Sequence, residues 1–228
     1  MTFQKEISFH SKGSYSVLGD LDSTTTHTIL FVFHGQGQLA KYFIRKFKSL
    51  KDLGITIIAP EGLHHYYLSG FSGRVGASWM TNENRLVAIE NYLTFLDSTL
   101  KDVLKTTPSD VNIHLLGFSQ GAATACRWVE KSNFNFDKLI LWGGGLPPDL
   151  ESQAITNRMK GKSIIQMIGN KDPYLTPENK RTMLTLIEKY NLSSTIKQYN
   201  GEHNINEATL LELFNFSSST SEENSSSC

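Results

Sequence analysis

The chain has 228 residues, the length of one substantial domain, because single hydrophobic cores keep growing to about 250 residues before chains divide. Its 22 Lys and Arg residues balance its 22 Asp and Glu residues, which argues against the basic excess of nucleic-acid-binding proteins. No apolar stretch approaches the roughly 18 residues that a membrane span needs, and the N-terminus does not resemble a signal peptide. We therefore expect a cytoplasmic protein that neither binds nucleic acid nor inserts stably into a membrane.

Short β-rich runs alternate with longer helical patterns along the chain. Two early runs, 3–9 and 13–18, predict an antiparallel hairpin at a sheet edge. Later runs, dense in Ile, Leu, Val and Phe, predict strands that are covered on both faces. This alternation is typical of an α/β fold with a mostly parallel central sheet and helices on both faces. The predicted strands are 28–34, 55–59, 111–117, 138–143, 163–168 and 194–199, and the predicted helices are 40–53, 82–105, 119–131, 177–191 and 206–214.

Two segments depart from this alternation. Residues 60–81 form a long connection that is rich in aromatic side chains, and long connections inside compact domains are often functional. Residues 217–228 are almost entirely Ser, Thr, Glu and Asn, which leaves them little to bury and predicts disorder. We therefore expect one domain over residues 1–216, without a large cap domain, followed by a disordered serine-rich tail.

The strongest chemical signal is the pentapeptide Gly-Phe-Ser-Gln-Gly at 117–121. It lies between a predicted strand and a predicted helix, which is the context of a nucleophile elbow. Ser119 is therefore the predicted nucleophile, and the backbone N–H of Gln120 is a predicted donor to an oxyanion. A chance occurrence of this pattern at a strand-to-helix turn is the alternative interpretation.

A serine nucleophile needs a base and an acid, because its hydroxyl is unreactive until a proton is removed. Asp172 follows the strand 163–168, and His203 follows the strand 194–199. Both therefore fall at the carboxyl edge of the predicted sheet, in the chain order serine, acid, histidine. Alternatively, Asp172 is a turn residue and His203 a loop histidine; Glu202 and Asp149 are weaker candidates for the acid.

The turn His-Gly-Gln-Gly-Gln at 34–38 follows the first long strand. Such a turn presents a second backbone donor to the oxyanion, which we assign to Gln36, and we interpret His34 as structural. The same segment matches a dinucleotide-binding fingerprint through Gly35, Gly37 and Ala40, with Glu61 after the next strand as the ribose-binding acid. A nucleotide-dependent oxidoreductase is therefore an alternative function. It leaves Ser119, Asp172 and His203 without a role.

The predicted substrate contacts are Trp79, Gly35 and Leu175. Trp79 is chosen because ligand pockets are mostly apolar and aromatic. The alternative for Trp79 and its aromatic neighbours is packing against the sheet.

These motifs together resemble the α/β-hydrolases, and within them the phospholipase/carboxylesterase family that includes acyl-protein thioesterase-like serine esterases. The resemblance runs from about residue 28 to residue 214 and is most specific at 117–121, where Ala122 and Ala123 follow the motif. It implies hydrolysis of carboxylic esters or thioesters through an acyl-serine intermediate, with no metal or organic cofactor.

Three departures from the thioesterase pattern favour a carboxylesterase for small to medium acyl esters. Gln38 stands where thioesterases usually carry an acid, and Ala122 where they usually carry glycine. The segment 73–79 also differs from the loop expected in a thioesterase. An acyl-protein thioesterase or lysophospholipase-type deacylase is the nearest alternative. A catalytically silent binding module is a further one, and the sequence is compatible with a monomer or a homodimer.

Overall fold

In a computed structural model, residues 3, 5–21 and 26–219 are described. Their strands and helices alternate along most of the chain, and one 3-10 turn (Ile44–Phe47) separates the first two helices. The strands are β1 (Tyr15–Leu18), β2 (Thr28–Phe33), β3 (Ile55–Pro60), β4 (His64–Tyr67), β5 (Val75–Ser78), β6 (Asn112–Phe118), β7 (Lys138–Trp142), β8 (Ile164–Gly169) and β9 (Ser194–Tyr199). The helices are α1 (Ala40–Phe43), α2 (Lys48–Lys51), α3 (Arg85–Val103), α4 (Gln120–Lys131), α5 (Ser152–Arg158), α6 (Pro177–Lys189) and α7 (Glu207–Ser219).

The central sheet has seven strands in the order β1-β3-β2-β6-β7-β8-β9. All neighbouring pairs are parallel except β1 with β3. The parallel strands therefore end at one edge, and the segments that follow β2, β6, β7, β8 and β9 meet there. This architecture confirms the predicted α/β fold with a mostly parallel sheet.

Strand β2 shows why the sheet is covered on both faces. Its side chains alternate between two cores, with Ile29, Phe31 and Phe33 in one and Leu30 and Val32 in the other. The first core is completed by side chains from α3, α4, α5 and α6, and the second by side chains from α1, α2 and α7. A strand buried on both faces reads as a continuous apolar run, which is the pattern in the sequence.

The N-terminal antiparallel pair is present, but its partner strand differs from the prediction. β1 pairs with β3, Tyr15 opposite Pro60, and the described residues of 3–9 form no strand. Phe3 and Phe9 are exposed, at 75% and 80%. The free edge of the buried strand β3 offers β1 more apolar contact than an isolated hairpin has, which accounts for the non-local pairing.

Three further predictions change in detail. The long connection 60–81 contains a small antiparallel sheet of β4 and β5, and the predicted helix 40–53 is divided into α1, the 3-10 turn and α2. Helix α7 extends to Ser219, past the predicted start of the disordered tail at 217, and residues 220–228 lie outside the described residues. None of the helices in the described chain combines the length and the apolarity required to span a bilayer.

Candidate active site

Ser119 occupies the turn between β6 and α4 in a strained backbone conformation. Its φ is 53° and its ψ is −118°, a region that non-glycine residues rarely adopt. The turn is so tight that a Cβ at Gly117 would collide with Ala122 and one at Gly121 with the carbonyl of Phe33. Glycine is therefore required on both sides of the serine, as expected for a nucleophile elbow.

Asp172 and His203 form a short hydrogen bond beyond the ends of β8 and β9. Nδ1 of His203 lies 2.7 Å from Oδ2 of Asp172, whose side chain is only 3% exposed. The other carboxylate oxygen, Oδ1, accepts a hydrogen bond of 2.9 Å from the N–H of Tyr174. Because an ionised carboxylate only accepts, Nδ1 must carry the proton, which leaves Nε2 of a neutral imidazole free to act as a base.

Contacts through two glycines bring Ser119 and this pair to the same place. A Cβ at Gly143 would lie 3.0 Å from Cε1 of His203 and 3.5 Å from Oδ2 of Asp172. A Cβ at the next residue, Gly144, would collide with the carbonyl oxygen of Ser119. The serine, the histidine and the acid therefore surround one short segment after β7, at the carboxyl edge of the sheet.

Two buried aromatic side chains, Tyr199 and Trp142, hold the loop that carries His203 in place. The Tyr199 hydroxyl lies 2.8 Å from the Glu202 carbonyl and 2.7 Å from the Asn204 carbonyl, and it accepts a hydrogen bond of 3.0 Å from Nε1 of Trp142. Burial raises the pKa of Tyr199, so the hydroxyl remains a donor. These bonds fix the backbone on both sides of His203, and the sequence motifs gave no sign of them.

The turn after β2 leaves one backbone donor free beside Ser119. The N–H of Gly35 donates to Oε1 of Gln38, the N–H of Gln38 to the Gly35 carbonyl, and the N–H of Gly37 to the Ala77 carbonyl. Of the backbone N–H groups at 35–38, that of Gln36 alone has no acceptor among the described residues. Gly35 lies against the serine, since a Cβ there would be 3.2 Å from the Cβ of Ser119.

His34 is fully buried and fixed at both ring nitrogens. Nδ1 donates to the Gly35 carbonyl at 2.8 Å, and Nε2 accepts from the N–H of Gly62 at 2.9 Å. Burial lowers the pKa of His34, which keeps the ring neutral in this arrangement. The bonds anchor the turn at 34–38, consistent with a structural histidine.

The predicted substrate contact of Trp79 requires correction. Trp79 is 0% exposed, donates from Nε1 to the His34 carbonyl and stacks on the His34 ring at 5.0 Å between centroids. The Gln120 side chain holds the segment around it, accepting from the N–H of Trp79 at 3.0 Å and donating to the Met80 carbonyl at 2.9 Å. Trp79 therefore supports the turn from behind and does not face a ligand.

An apolar cavity of about 270 Å³ opens beside Asp172, between α6 and the segment after β7. Of the predicted substrate contacts, Leu175 lines it and Gly35 does not. The apolar part of its wall is formed by Leu146, Ile168, Leu175, Met183 and Leu186.

The residues of the alternative interpretations are engaged elsewhere. Oε2 of Glu61 accepts the N–H of Ala40 at the start of α1, and Oε1 lies 2.9 Å from Nε2 of His65. The helix end that would receive a pyrophosphate is therefore already capped, and α1 has only four residues. Asp149 pairs with Arg127 at 2.9 Å and with Arg85 at 2.6 Å, so it is not available to orient His203.

Comparison with solved structures identifies several with the same fold. The structure of Zea mays acyl-protein thioesterase 2 matches with a TM-score of 0.65 at 17% identity, over 91% of this chain and 99% of the other. Esterase PE8 matches with a TM-score of 0.66 at 19% identity, over 92% and 99%. The Bacillus cereus carboxylesterase matches with a TM-score of 0.61 at 17% identity, over 90% and 92%. At these identities the likeness shows the fold.

Sequence comparison establishes the family. A search of curated proteins found no significant match. The profile of the phospholipase/carboxylesterase family matches residues 20–221, which is most of the chain and includes every residue of the candidate site. The chain therefore belongs to the phospholipase/carboxylesterase family.

Proposed function

We propose that this protein is a serine carboxylesterase that hydrolyses small to medium acyl esters through an acyl-serine intermediate. The observation that carries the proposal is the 2.7 Å bond between His203 and Asp172, formed beside a serine in a strained turn. A base with its proton fixed on the far nitrogen, close to a serine hydroxyl, is what activates a serine nucleophile.

The mechanism uses only groups of this chain. Oγ of Ser119 attacks the ester carbonyl while Nε2 of His203 takes its proton, and Asp172 stabilises the imidazolium. The N–H groups of Gln36 and Gln120 donate to the tetrahedral oxyanion. His203 then protonates the leaving alcohol, and in the second half-reaction it activates the water that releases the acid from Ser119.

The cavity beside Asp172 supports a preference for modest acyl chains. Its volume of about 270 Å³ is slightly below the usual range for ligand pockets, about 300–1,000 Å³. Its apolar wall and its position next to Gly144, which lies against Ser119, suit the acyl half of an ester. A long acyl chain would extend beyond it into solvent.

Active-site labelling tests the proposal directly. A fluorophosphonate probe is expected to label the folded wild-type protein and not the Ser119→Ala variant. Absence of labelling, or equal labelling of both, would exclude the serine mechanism.

A substrate series tests the acyl preference. With p-nitrophenyl esters of increasing acyl length, kcat/KM is expected to be highest for short to medium chains and higher than for a palmitoyl thioester. Preference for the palmitoyl thioester would instead identify a thioesterase or lysophospholipase-type deacylase.

A further inference from the structure

A second cavity, lined by cations, adjoins the turn at 34–38. Its volume is about 590 Å³, and Gly37 and Gln38 form one end of it. Three basic side chains line it: Lys41 from α1, Lys46 from the 3-10 turn and Arg74 from the β4–β5 connection. No acidic side chain is among its lining residues. We call it the cationic groove, and these three residues the groove cations.

None of the groove cations has a carboxylate partner among the residues that the structure describes. Across the described part of the chain, none of the three forms an ion pair. Glu61 touches the start of α1, but its two oxygens are bound to the Ala40 N–H and to His65. Several positive charges around one concave surface attract anions and raise their local concentration. The electrostatics of the groove therefore favour an anionic ligand.

The groove and the apolar cavity flank Ser119 on opposite sides. The groove follows β2, Ser119 follows β6, and the cavity follows β7 and β8. These strands are consecutive in the sheet, and neighbouring strands are about 4.8 Å apart. An ester bound with its carbonyl at Ser119 would therefore extend one half toward the cavity and the other toward the groove.

The two ends differ in chemistry as well as in direction. The wall of the cavity is mainly aliphatic, whereas the groove combines its cations with the exposed ring of Tyr42 and the backbone at Gly37. An acyl chain gains free energy in the cavity from burial of apolar area, and a charged group gains none there. The charged half of a substrate is therefore directed to the groove.

We propose that the cationic groove binds an anionic group, phosphate or carboxylate, on the alcohol half of the ester, so that the substrates are anionic esters. The inference rests on the proposed esterase function and adds its substrate class. The guanidinium group of arginine can donate two parallel hydrogen bonds to phosphate or carboxylate oxygens, and the ammonium group of lysine adds a point charge. Because neither Ser119 nor His203 lines the groove, we expect its effect mainly on KM.

Three short esters separate the possible positions of the charge. They are 1-butyrylglycerol 3-phosphate, with the anion on the alcohol half; neutral 1-butyrylglycerol; and monobutyl succinate, with the anion on the acyl half. Wild-type protein is expected to prefer the phosphate ester over the neutral one by about tenfold in kcat/KM, and less at high salt.

A variant with all three groove cations changed to glutamine tests the groove itself. Its kcat/KM for the phosphate ester is expected to fall about tenfold or more, because each exposed charge contributes a factor of up to about five. Its kcat/KM for the neutral ester is expected to stay unchanged. A control with the same change in net charge replaces three exposed lysines that lie outside the groove, namely Lys51→Gln, Lys101→Gln and Lys160→Gln. The control is expected to keep the wild-type preference.

The outcomes are distinct. If the groove variant lost kcat/KM equally on the neutral and phosphate esters, or lost none, the proposal would be overturned. A loss of kcat/KM confined to monobutyl succinate would assign the groove to the acyl half instead.

Calorimetric titration with glycerol 3-phosphate gives a readout that does not depend on turnover. We expect binding to wild type and to the control but not to the groove variant; equal binding by all three would refute the groove. Lack of fluorophosphonate labelling, in contrast, would refute only the esterase.

Discussion

The bond between Asp172 and His203 decides which imidazole nitrogen carries the proton. Asp172→Asn keeps the size of the side chain, but the amide can donate to Nδ1 and so favours the tautomer that protonates Nε2. We expect kcat for p-nitrophenyl butyrate to fall about 10⁴-fold, with the fold intact by circular dichroism. The control is Asp149→Asn, which breaks ion pairs with Arg127 and Arg85 away from the site. It is expected to reduce stability and leave kcat near wild type, and the reverse pattern would show that Asp149 is the acid.

The buried Tyr199 holds the loop that carries His203 through its hydroxyl. Tyr199→Phe removes the hydroxyl that bridges Trp142 and the carbonyls of Glu202 and Asn204. We expect kcat to fall roughly tenfold with little change in KM, because small displacements of catalytic groups are costly. Urea unfolding should show a loss of about 1 kcal/mol for the buried hydrogen bond.

Tyr190 offers a matched control for this change. Its ring is also buried, and its hydroxyl donates to the Pro147 carbonyl, outside the histidine loop. Tyr190→Phe is expected to lose similar stability and to keep kcat. A similar decrease of kcat in both variants would mean that the effect is general destabilisation.

Single residues also mark the limit of what the sequence could predict. The order of Ser119, Asp172 and His203 follows from the short motifs and the ends of strands, since chain order and topology place them at one edge. The role of Trp79 does not follow from the sequence, because an aromatic side chain in a long connection can face either a ligand or the core. The deciding contact, from its indole nitrogen to the His34 carbonyl, joins residues 45 apart.

At the scale of elements, the segment after β7 links the turn that carries Ser119 to the loop that carries His203. Gly143 has a φ of 57°, and a Cβ there would lie 3.0 Å from Cε1 of His203. Gly143→Ala is therefore expected to displace the imidazole and lower kcat roughly 100-fold, in addition to a conformational cost of about 1 kcal/mol.

A second glycine with a similar φ angle distinguishes the effect of the contact with His203 from the effect of backbone strain. Gly161 has a φ of 74°, and a Cβ there would meet nothing within 4 Å. Gly161→Ala should show the same conformational cost in urea unfolding and a wild-type kcat. If Gly143→Ala also kept its kcat, the segment after β7 would not be holding the imidazole in place.

Among the elements, the strands of the central sheet were predictable, but the partner of β1 and the small sheet of β4 and β5 were not. Strands β2, β3 and β6 are buried on both faces, so their apolar runs report their structure locally. The pairing of β1 with β3 instead of with residues 3–9 depends on which edge is free, and local pattern does not contain that information. The short strands β4 and β5 were missed because His64–Tyr67 is exposed throughout and has no apolar alternation.

At the scale of the whole molecule, the cationic groove assembles residues from α1, the 3-10 turn and the β4–β5 connection. In the sequence, nothing distinguishes these three cations from ordinary solvent-exposed charges. Because the total charge is balanced, it gives no sign of the local excess of positive charge. A net charge of zero over the whole chain does not describe the electrostatic field inside one cavity.

The stability of the whole fold should depend on pH through a buried histidine in the central strand β6. His114 is 8% exposed, its Nδ1 has no hydrogen-bond partner among the described residues, and its pKa is lowered from 6.5 to about 4, chiefly by burial and then by Lys138. The unfolded chain therefore binds more protons than the folded protein between pH 6.5 and about 4, and stability falls as the pH falls through this window.

We expect this single group to lower the free energy of unfolding by about 2 kcal/mol between pH 7 and pH 5, measured by urea titration. In His114→Leu, the loss over the same interval should be smaller by that amount, because the group that takes up the proton on unfolding is gone. Between pH 8 and pH 7, above the window, the two proteins should change equally. An identical decrease in both proteins from pH 7 to pH 5 would show that His114 is already accessible to protons in the folded state, and that the core beside β6 is open to water.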